Sequence, residues 1–438
     1  MAARDSARVP LTARRALGER AKQMTVLIAG GGIAGLTLGL TLHQISIPFH
    51  IFETTRAPKP LGVGINLQPP AVRELFALGL EDMLDEVGIQ TRDYGFYTRT
   101  GQEIWTEPRG CHAGYNWPQY SVHRGRLQMA LLDALRTRCG DSCITFGARV
   151  RRYETRCDRV TVHYEVQGSD KTASADMLIG ADGIHSGVRA QMYPTEGPPV
   201  WGGAIMWRGT SLAKPFLTGQ SMILAGNNTQ RFVSYPISAP DGVTGLSQIN
   251  WIAEKTVDPT THFEKEDWNR RVDVNQFASD FSDWDFGWID VPSLIAAATE
   301  VFEYPMVDRE PVPRWTDGPV VLIGDAAHAT YPVGSSGATQ AILDTRILAA
   351  ELRGHGLGSA AASAFEARVL PMANRVTLGN RGNGGPDAIM QIAEDRCKGD
   401  FTVLDRALPY DERAAHSASF KKLAGLSLEA TNNAPALL

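Results

Sequence analysis

The stretch "TVLIAGGGIAGLTLGL", Thr25 to Leu40, decides how this chain is read. It carries no charge, and the uncharged run extends from Gln23 to Phe52. Such a run either crosses a membrane or grips a phosphate. A membrane span takes about twenty apolar residues in one unbroken helix. Here Val26-Leu27-Ile28 opens as a strand-like patch, and Gly30 to Gly32 then interrupt it. Each glycine costs a helix interior about 1 kcal/mol relative to alanine. The run therefore reads as strand, tight turn and helix. Gly30-x-Gly32-x-x-Gly35 is then a dinucleotide fingerprint. Gly30 makes the turn, Gly32 admits the pyrophosphate to the backbone, and Gly35 lets helix and strand pack closely. Ile33 and Ala34 open the helix, whose free N–H groups and positive dipole end suit a phosphate.

The fingerprint alone is a weak signal, and its surroundings strengthen it. A second apolar run, Pro48 to Phe52, ends at Glu53, 18 residues after Gly35. That is near the usual spacing for a carboxylate that binds a ribose hydroxyl. Composition points to an ordinary globular enzyme: 438 residues, 43% hydrophobic and 21% charged. A net charge of −5 offers no basic surface, so nucleic acid is not an expected partner. Five cysteines, Cys111, Cys139, Cys143, Cys157 and Cys397, lack zinc-ligand spacing and read as reduced thiols. No metal site is expected. With no signal-type apolar segment, they place the chain in the cytoplasm. Residues 1–23 carry five arginines, one lysine and two acids, and read as a disordered leader ahead of the first strand.

Two later segments repeat the pattern of an apolar strand entering a glycine-and-aspartate turn. They are "ADMLIGADGIHSGVR", Ala175 to Arg189, and "GPVVLIGDAAHATYPVGSSGATQAILD", Gly318 to Asp344. The second continues into a helix with Ala341, Leu343, Ile347 and Leu348 as expected buried positions. Residues 191–310 hold six of the nine tryptophans and many short strand-like pieces. They read as a mostly antiparallel sheet inserted into the α/β domain, and such aromatic-rich sheets commonly wall a ligand pocket. After Pro386 the chain reads as helical, with a frayed end at "TNNAPALL".

Together these segments resemble the FAD-dependent aromatic hydroxylases, single-component flavoprotein monooxygenases of the para-hydroxybenzoate hydroxylase pattern. A closer likeness, to the phenazine hydroxylase branch, is carried by "LGVGINLQPPAV", "PQYSVHRGRLQM", "IMWRG", "YPMVDREP" and the GD segment. The resemblance covers roughly Met24 to Arg381. It implies an α/β fold: a Rossmann-like FAD-binding domain, an inserted antiparallel substrate domain, and C-terminal helices. The FAD domain is expected at 24–90, 119–190 and 311–384, the substrate domain at 91–118 and 191–310, and the helical segment at 385–438.

The resemblance also implies roles. Glu53 accepts from the adenosine ribose. Arg124 opens the helix "RGRLQMALLDALR", ridged by Leu127, Leu131, Ala134 and Leu135. The dipole disfavours a cation at a helix start, so an anion is expected there, supplied by the FAD phosphates. Gln128 reaches the cofactor one turn on. Gly62-Val63-Gly64 passes close to the flavin ring, where backbone approach needs small residues. Asp182 belongs to the turn that also serves the nicotinamide donor. Asp325 holds a ribityl hydroxyl, and His328 behind it is read as structural. After Pro332, Val333 and Gly334, the helix start at Gly337-Ala338 aims N–H groups at the flavin pyrimidine edge. Many relatives have a Gly-x-Gly pair where this chain has Ser335 and Gly337.

Gly382 to Gly385 does not follow a strand and reads as a loop, leaving one GxGxxG. NAD(P)H then has no Rossmann domain of its own, which argues against two-dinucleotide oxygenases. The implied cycle passes hydride from NAD(P)H to FAD, then O₂, then oxygen transfer from a C4a-hydroperoxyflavin to an electron-rich ring. Arg208, in "MWRG", and Tyr235, in "SYPIS", are the expected catalytic residues. The guanidinium would pair with a phenolate or carboxylate and the phenol would donate to the same oxygen. Strand alternation places Trp207 on the opposite face, in core packing. A flavin halogenase would carry W-x-W-x-I-P, which is absent. A flavin reductase or dehydrogenase without oxygen insertion, or a silent flavin-binding protein, are the other readings. The substrate, NADH against NADPH, and the oligomeric state stay open.

Overall fold

Strand Val26–Ala29 and helix Ile33–Gln44 occupy the opening stretch, with the three glycines as the turn between them. These elements belong to a computed structural model that describes residues 25–258, 270–381 and 385–438. The expected leader and Gly382 to Gly384 lie outside the described residues. The first helix is buried almost all round, from Gly35 through Leu42. It packs on helices Arg124–Cys139 and Gly337–His355. Burial on several sides explains the long uncharged run, because a helix without a water-facing side has no place for charge. Among the described residues no helix is long and apolar enough to cross a membrane.

The first strand lies inside a six-stranded sheet. The order is Thr316–Asp317, Val320–Leu322, Met177–Gly180, Val26–Ala29, Phe49–Glu53 and Ile144–Phe146. All neighbours are parallel except the Thr316–Asp317 edge. Ala29 stands in register with Gly180 and Phe52, and Gly180 with Leu322. The carboxyl ends of these strands are thus level, and loops leaving them converge at one crevice.

An eight-stranded sheet takes its strands from residues 93–108 and 200–308. Its neighbours are antiparallel apart from Asp93–Tyr97 beside Ser221–Gly226. One face carries a core of Trp207, Trp251, Phe232, Phe277, Phe281 and Trp284. Trp207 stacks on Phe277, with ring centroids 4.5 Å apart and an interplanar angle of 2°. Its indole Nε1 donates to Glu303 at 2.9 Å. The opposite face presents Met206, Val233, Ile252, Tyr304 and Met306, against which Tyr331 and Val333 pack from the segment after His328.

Two helical ridges differ from expectation. In Gly337–His355, Ala341 and Leu348 are buried, but Leu343 and Ile347 are only half-buried. Ile342, Asp344, Thr345 and Arg346 are buried instead. This helix touches the first helix, helix Pro69–Ala77 and helix Ser359–Asn380, so its covered side is wider than one apolar stripe. In Arg124–Cys139, Ala134 is half-buried and Leu132 joins the core. The chain end also departs from the frayed reading. Helix Leu428–Asn433 is docked, with Asn432 accepting from Asn116 N–H at 2.9 Å and donating to Gly114 O at 2.9 Å.

Candidate cofactor and substrate site

The three glycine-bearing corners meet. Gly30 has φ +107°, and a Cβ there would stand 2.3 Å from Ala181 O and 3.0 Å from Asp182 Cα. A Cβ on Gly35 would stand 2.0 Å from Gly30 O, so both positions need glycine on contact grounds, and Gly30 on conformation as well. Gly324, φ +57°, faces Ala34 and Ala341, each Cβ 3.3 Å from where its own would lie. The turn at 30–35, the turn at 181–183 and the turn at 324–325 are therefore in direct contact.

Around this junction the residues expected to bind the cofactor take distinct places. Glu53 accepts from Gly31 N–H at 2.6 Å and from Thr55 N–H at 2.6 Å. A carboxylate has about four lone-pair sites, so it keeps capacity for a ribose hydroxyl. Gln128 donates to Gly31 O at 2.9 Å, which braces the glycine turn from behind. Arg124 is exposed at the start of its helix, beside Gly62. Asp182 turns inward: it accepts from Ser186 Oγ at 2.5 Å and from Gly187 N–H at 2.8 Å. Burial pushes its pKa up, opposed by those hydrogen bonds. Its carboxylate holds its own turn, and its backbone is what meets Gly30. Asp325 is exposed at the tip of its turn. Behind it, Asp344 accepts from Gly324 N–H at 2.8 Å and contacts His328 Nε2 at 2.7 Å. That fully buried pair fixes the turn.

An FAD molecule fits this cradle. Helices Ile33–Gln44 and Gly337–His355 both begin without a side-chain cap, leaving their first N–H groups available to an anion. Nothing stands within 4 Å of a Cβ placed on Gly32, Gly183 or Gly337. Ser336 Oγ and Gln340 Nε2, at the start of the second helix, are buried without partners. In the turn before it, Gly334 has φ +76° and Ser335 φ +51°. Ser335 thus takes up the left-handed conformation that a glycine adopts without penalty.

Gly64 connects the cradle to the eight-stranded sheet. Its N–H donates to Asn250 Oδ1 at 2.6 Å, and a Cβ on it would stand 2.7 Å from the Tyr235 ring. Arg208 Nη2 donates weakly to Gly64 O at 3.4 Å. Arg208, Tyr235 and Asn250 share one sheet face, because Arg208 opposes Ile252, Thr210 opposes Asn250, and Asn250 opposes Tyr235. Arg208 keeps some exposure as a residue, but its Nε is buried without a partner. Among the described residues no carboxylate pairs with it; the guanidinium lies 5.7 Å from the Tyr304 ring centroid. Burial lowers its pKa, the Tyr235 and Tyr304 phenols oppose that, and Arg124 reinforces it. Burial drives the Tyr235 phenol far above the ordinary tyrosine value, with Arg208 pulling the other way. A buried cation without an anion is costly, and the arrangement suits an incoming carboxylate or phenolate.

Beyond the apolar patch on the same face is a cleft of about 200 Å³. Arg231, Glu254, Asn380, Arg381 and Asp387 line it, with Tyr331 and Val333 beside them. Sequence reasoning singled out none of these polar residues, because they come from three separated segments without a shared motif.

Comparison with known proteins agrees with this geometry. Residues 23–377 match the family described as FAD binding domain. The chain is 41% identical to phenazine 1,6-dicarboxylic acid hydroxylase PhzS of Lysobacter antibioticus, over 82% of this chain and 90% of that protein. It is 31% identical to aurachin C monooxygenase/isomerase of Stigmatella aurantiaca, over 82% and 88%. Klebsiella pneumoniae HpxO complexed with FAD and uric acid superposes with a TM-score of 0.71 at 23% identity, over 93% of this chain and 96% of that one.

Proposed function

We propose that this chain, which belongs to the FAD-binding-domain family and is an FAD-dependent aromatic hydroxylase using NAD(P)H and O₂, acts on an aromatic ring bearing an anionic group. The observation that carries the proposal is the Arg208 guanidinium on the sheet face beside Gly64, its Nε buried without a partner and, among the described residues, no carboxylate paired with it. In support, the phenazine relative is named for an aromatic dicarboxylic acid. FAD, when bound, accepts hydride from the nicotinamide and activates O₂ for insertion.

The chain's own residues bind, orient and exclude water. The uncapped helix start at Ile33, with Arg124, would hold the pyrophosphate, and Glu53 the ribose. Asp325, held out by the Asp344–His328 pair, would take a ribityl hydroxyl. The Gly337-Ala338 N–H groups would face the pyrimidine edge, and Gly62 to Gly64 would pass the ring. Arg208 would fix the substrate's carboxylate or phenolate. Tyr235, whose phenol keeps its proton, would donate to that oxygen. Met206, Ile252, Val233 and Tyr304 form the dry floor against which a planar ring stacks. We further assign the 93–108 and 200–308 sheet to substrate and the six-stranded sheet to FAD. The five thiols, all free, suit a cytoplasmic setting.

The test is to purify the protein and measure FAD content. NADH and NADPH oxidation would then be followed with aromatic carboxylates, phenols and uncharged parent rings, and product mass read for one added oxygen. Stimulation confined to uncharged rings would overturn the proposal; NAD(P)H consumption without an oxygenated product would favour the dehydrogenase reading.

A further inference from the structure

We infer that the cleft lined by Glu254 and Asn380 recognises a hydrogen-bond donor at the far end of the substrate and discriminates against a second carboxylate there. This rests on the reading that Arg208 holds the first anionic group.

The cleft continues the substrate face of the sheet. Glu254 opposes Met206, and Arg231 opposes Glu254, two positions along from the Arg208–Ile252 pair. Strand spacing and rise put Glu254 about 8 Å from Arg208 between Cα atoms. Ile252 and Val233 stand level with Arg208, Met206 and Tyr304 level with Glu254, and Met306 and Tyr331 line the cleft, so one apolar cluster runs past both ends. A fused aromatic with its anion on Arg208 would lie over that cluster with its other end toward the cleft.

Both cations at the cleft are already committed. Arg231 donates to Asp387 at 2.5 Å, to Asn228 Oδ1 at 3.0 Å and to Asn227 O at 3.1 Å. Arg381 donates to Asp308 at 2.7 and 2.9 Å and to Glu310 at 2.7 Å. The acceptors are not committed to the same degree. Glu254, 9% exposed, faces Arg231 only at 3.7 Å, beyond hydrogen-bond range. Asn380, 4% exposed, uses its Nδ2 on Thr330 Oγ1 at 2.9 Å, and its Oδ1 is buried with no partner. Among the described residues no hydrogen-bond donor reaches the Glu254 carboxylate, whose nearest cation, Arg231, stands at 3.7 Å; burial pushes its pKa up, Arg231 opposes this and Asp387 adds to it. An N–H or protonated amine from a ligand supplies a donor. A ligand carboxylate supplies none and adds repulsion.

The experiment titrates FAD-loaded protein calorimetrically with phenazine-1-carboxylate, 6-aminophenazine-1-carboxylate and phenazine-1,6-dicarboxylate. In the wild type the amino acid should bind tightest and the diacid at least about tenfold weaker than the monoacid, the scale of a like-charge contact softened by partial exposure. Glu254→Gln should compress the monoacid-to-diacid ratio by roughly the same factor. Equal wild-type affinity for monoacid and diacid overturns the inference, whether or not the variant folds. So does an unchanged ratio in folded, FAD-loaded Glu254→Gln. Arg208→Met judges the underlying reading separately: if the monoacid loses no affinity there while the wild-type order holds, the assignment of Arg208 falls and the cleft's preference stands.

Discussion

Replacing Arg208 by methionine should have opposite effects on binding and on stability. In the wild type the guanidinium has one long hydrogen bond, 3.4 Å to Gly64 O, and a position 5.7 Å from the Tyr304 ring centroid. Those contacts are worth about 1 kcal/mol together. Against them stands a buried Nε without a partner, whose desolvation costs about 1–3 kcal/mol. Methionine removes both and keeps the apolar stem. Apoprotein stability should therefore hold or rise by about 1 kcal/mol. Substrate binding should fall steeply, because losing one partner of a buried charge pair costs about 2–5 kcal/mol. Taking about 3 kcal/mol, the Kd for an aromatic carboxylate should rise on the order of 100-fold. The same ring without its carboxylate should bind almost as before. Calorimetric titration with both ligands, beside thermal unfolding of the apoprotein, checks this. A carboxylate affinity unchanged within about threefold, with a melting point lowered by several degrees, would falsify the reasoning: Arg208 would then be a structural residue.

Three further outcomes follow from local geometry. Tyr235→Phe should lower kcat/KM by about tenfold, one hydrogen bond's worth. Because burial keeps the Tyr235 phenol protonated, the alkaline limb of the pH profile below about pH 10 should keep its shape; its disappearance would contradict the assignment. At His328 burial lowers the pKa, but Asp344 beside it, with Asp325, raises it further, so the net shift is upward. Its stability contribution is therefore complete below the unfolded value of about 6.5 and is lost as pH rises through the higher folded value. Melting temperatures from pH 5.5 upward should show that decline, and His328→Gln should flatten it. Ser335→Gly should relieve about 1 kcal/mol of left-handed backbone strain. The melting point should rise slightly and FAD content should not fall.

The parts of the site legible in the sequence are those where backbone geometry leaves one residue type. Gly30 and Gly35 were legible because a Cβ would collide with Ala181 O or Gly30 O, and Gly324 because of its left-handed φ of +57°; such demands recur as motifs. Arg208 and Trp207 were separable because a strand alternates its faces whatever lies around it. The turn acids were harder. Asp182 and Asp325 occupy similar glycine-aspartate turns, yet one carboxylate folds back onto Ser186 and the other is exposed. The difference comes from a serine four residues on, in the first turn only.

What stayed illegible has a common cause: charges whose partners arrive from far along the chain. Arg346 sits fully buried in a helix where periodicity expects an apolar residue, because Glu74 accepts from it at 3.0 Å and Gln44 at 2.7 Å. Asp344 is tolerated because His328 and Gly324 both approach it. The Arg231–Glu254–Asp387 cluster joins two adjacent strands to a loop more than 130 positions later. Hydropathy and spacing treat each of these residues as a surface charge, since each is scored without its partner. The groups left over after that pairing matter most for ligand choice. Among the described residues Arg208 Nε lacks an acceptor and Asn380 Oδ1 lacks a donor. Unpartnered buried atoms occur elsewhere among the described residues too, Arg109 Nε and Gln119 Oε1 among them, so it is the position of Arg208 and Asn380 beside one sheet face, rather than the missing partner alone, that makes a ligand the expected completion.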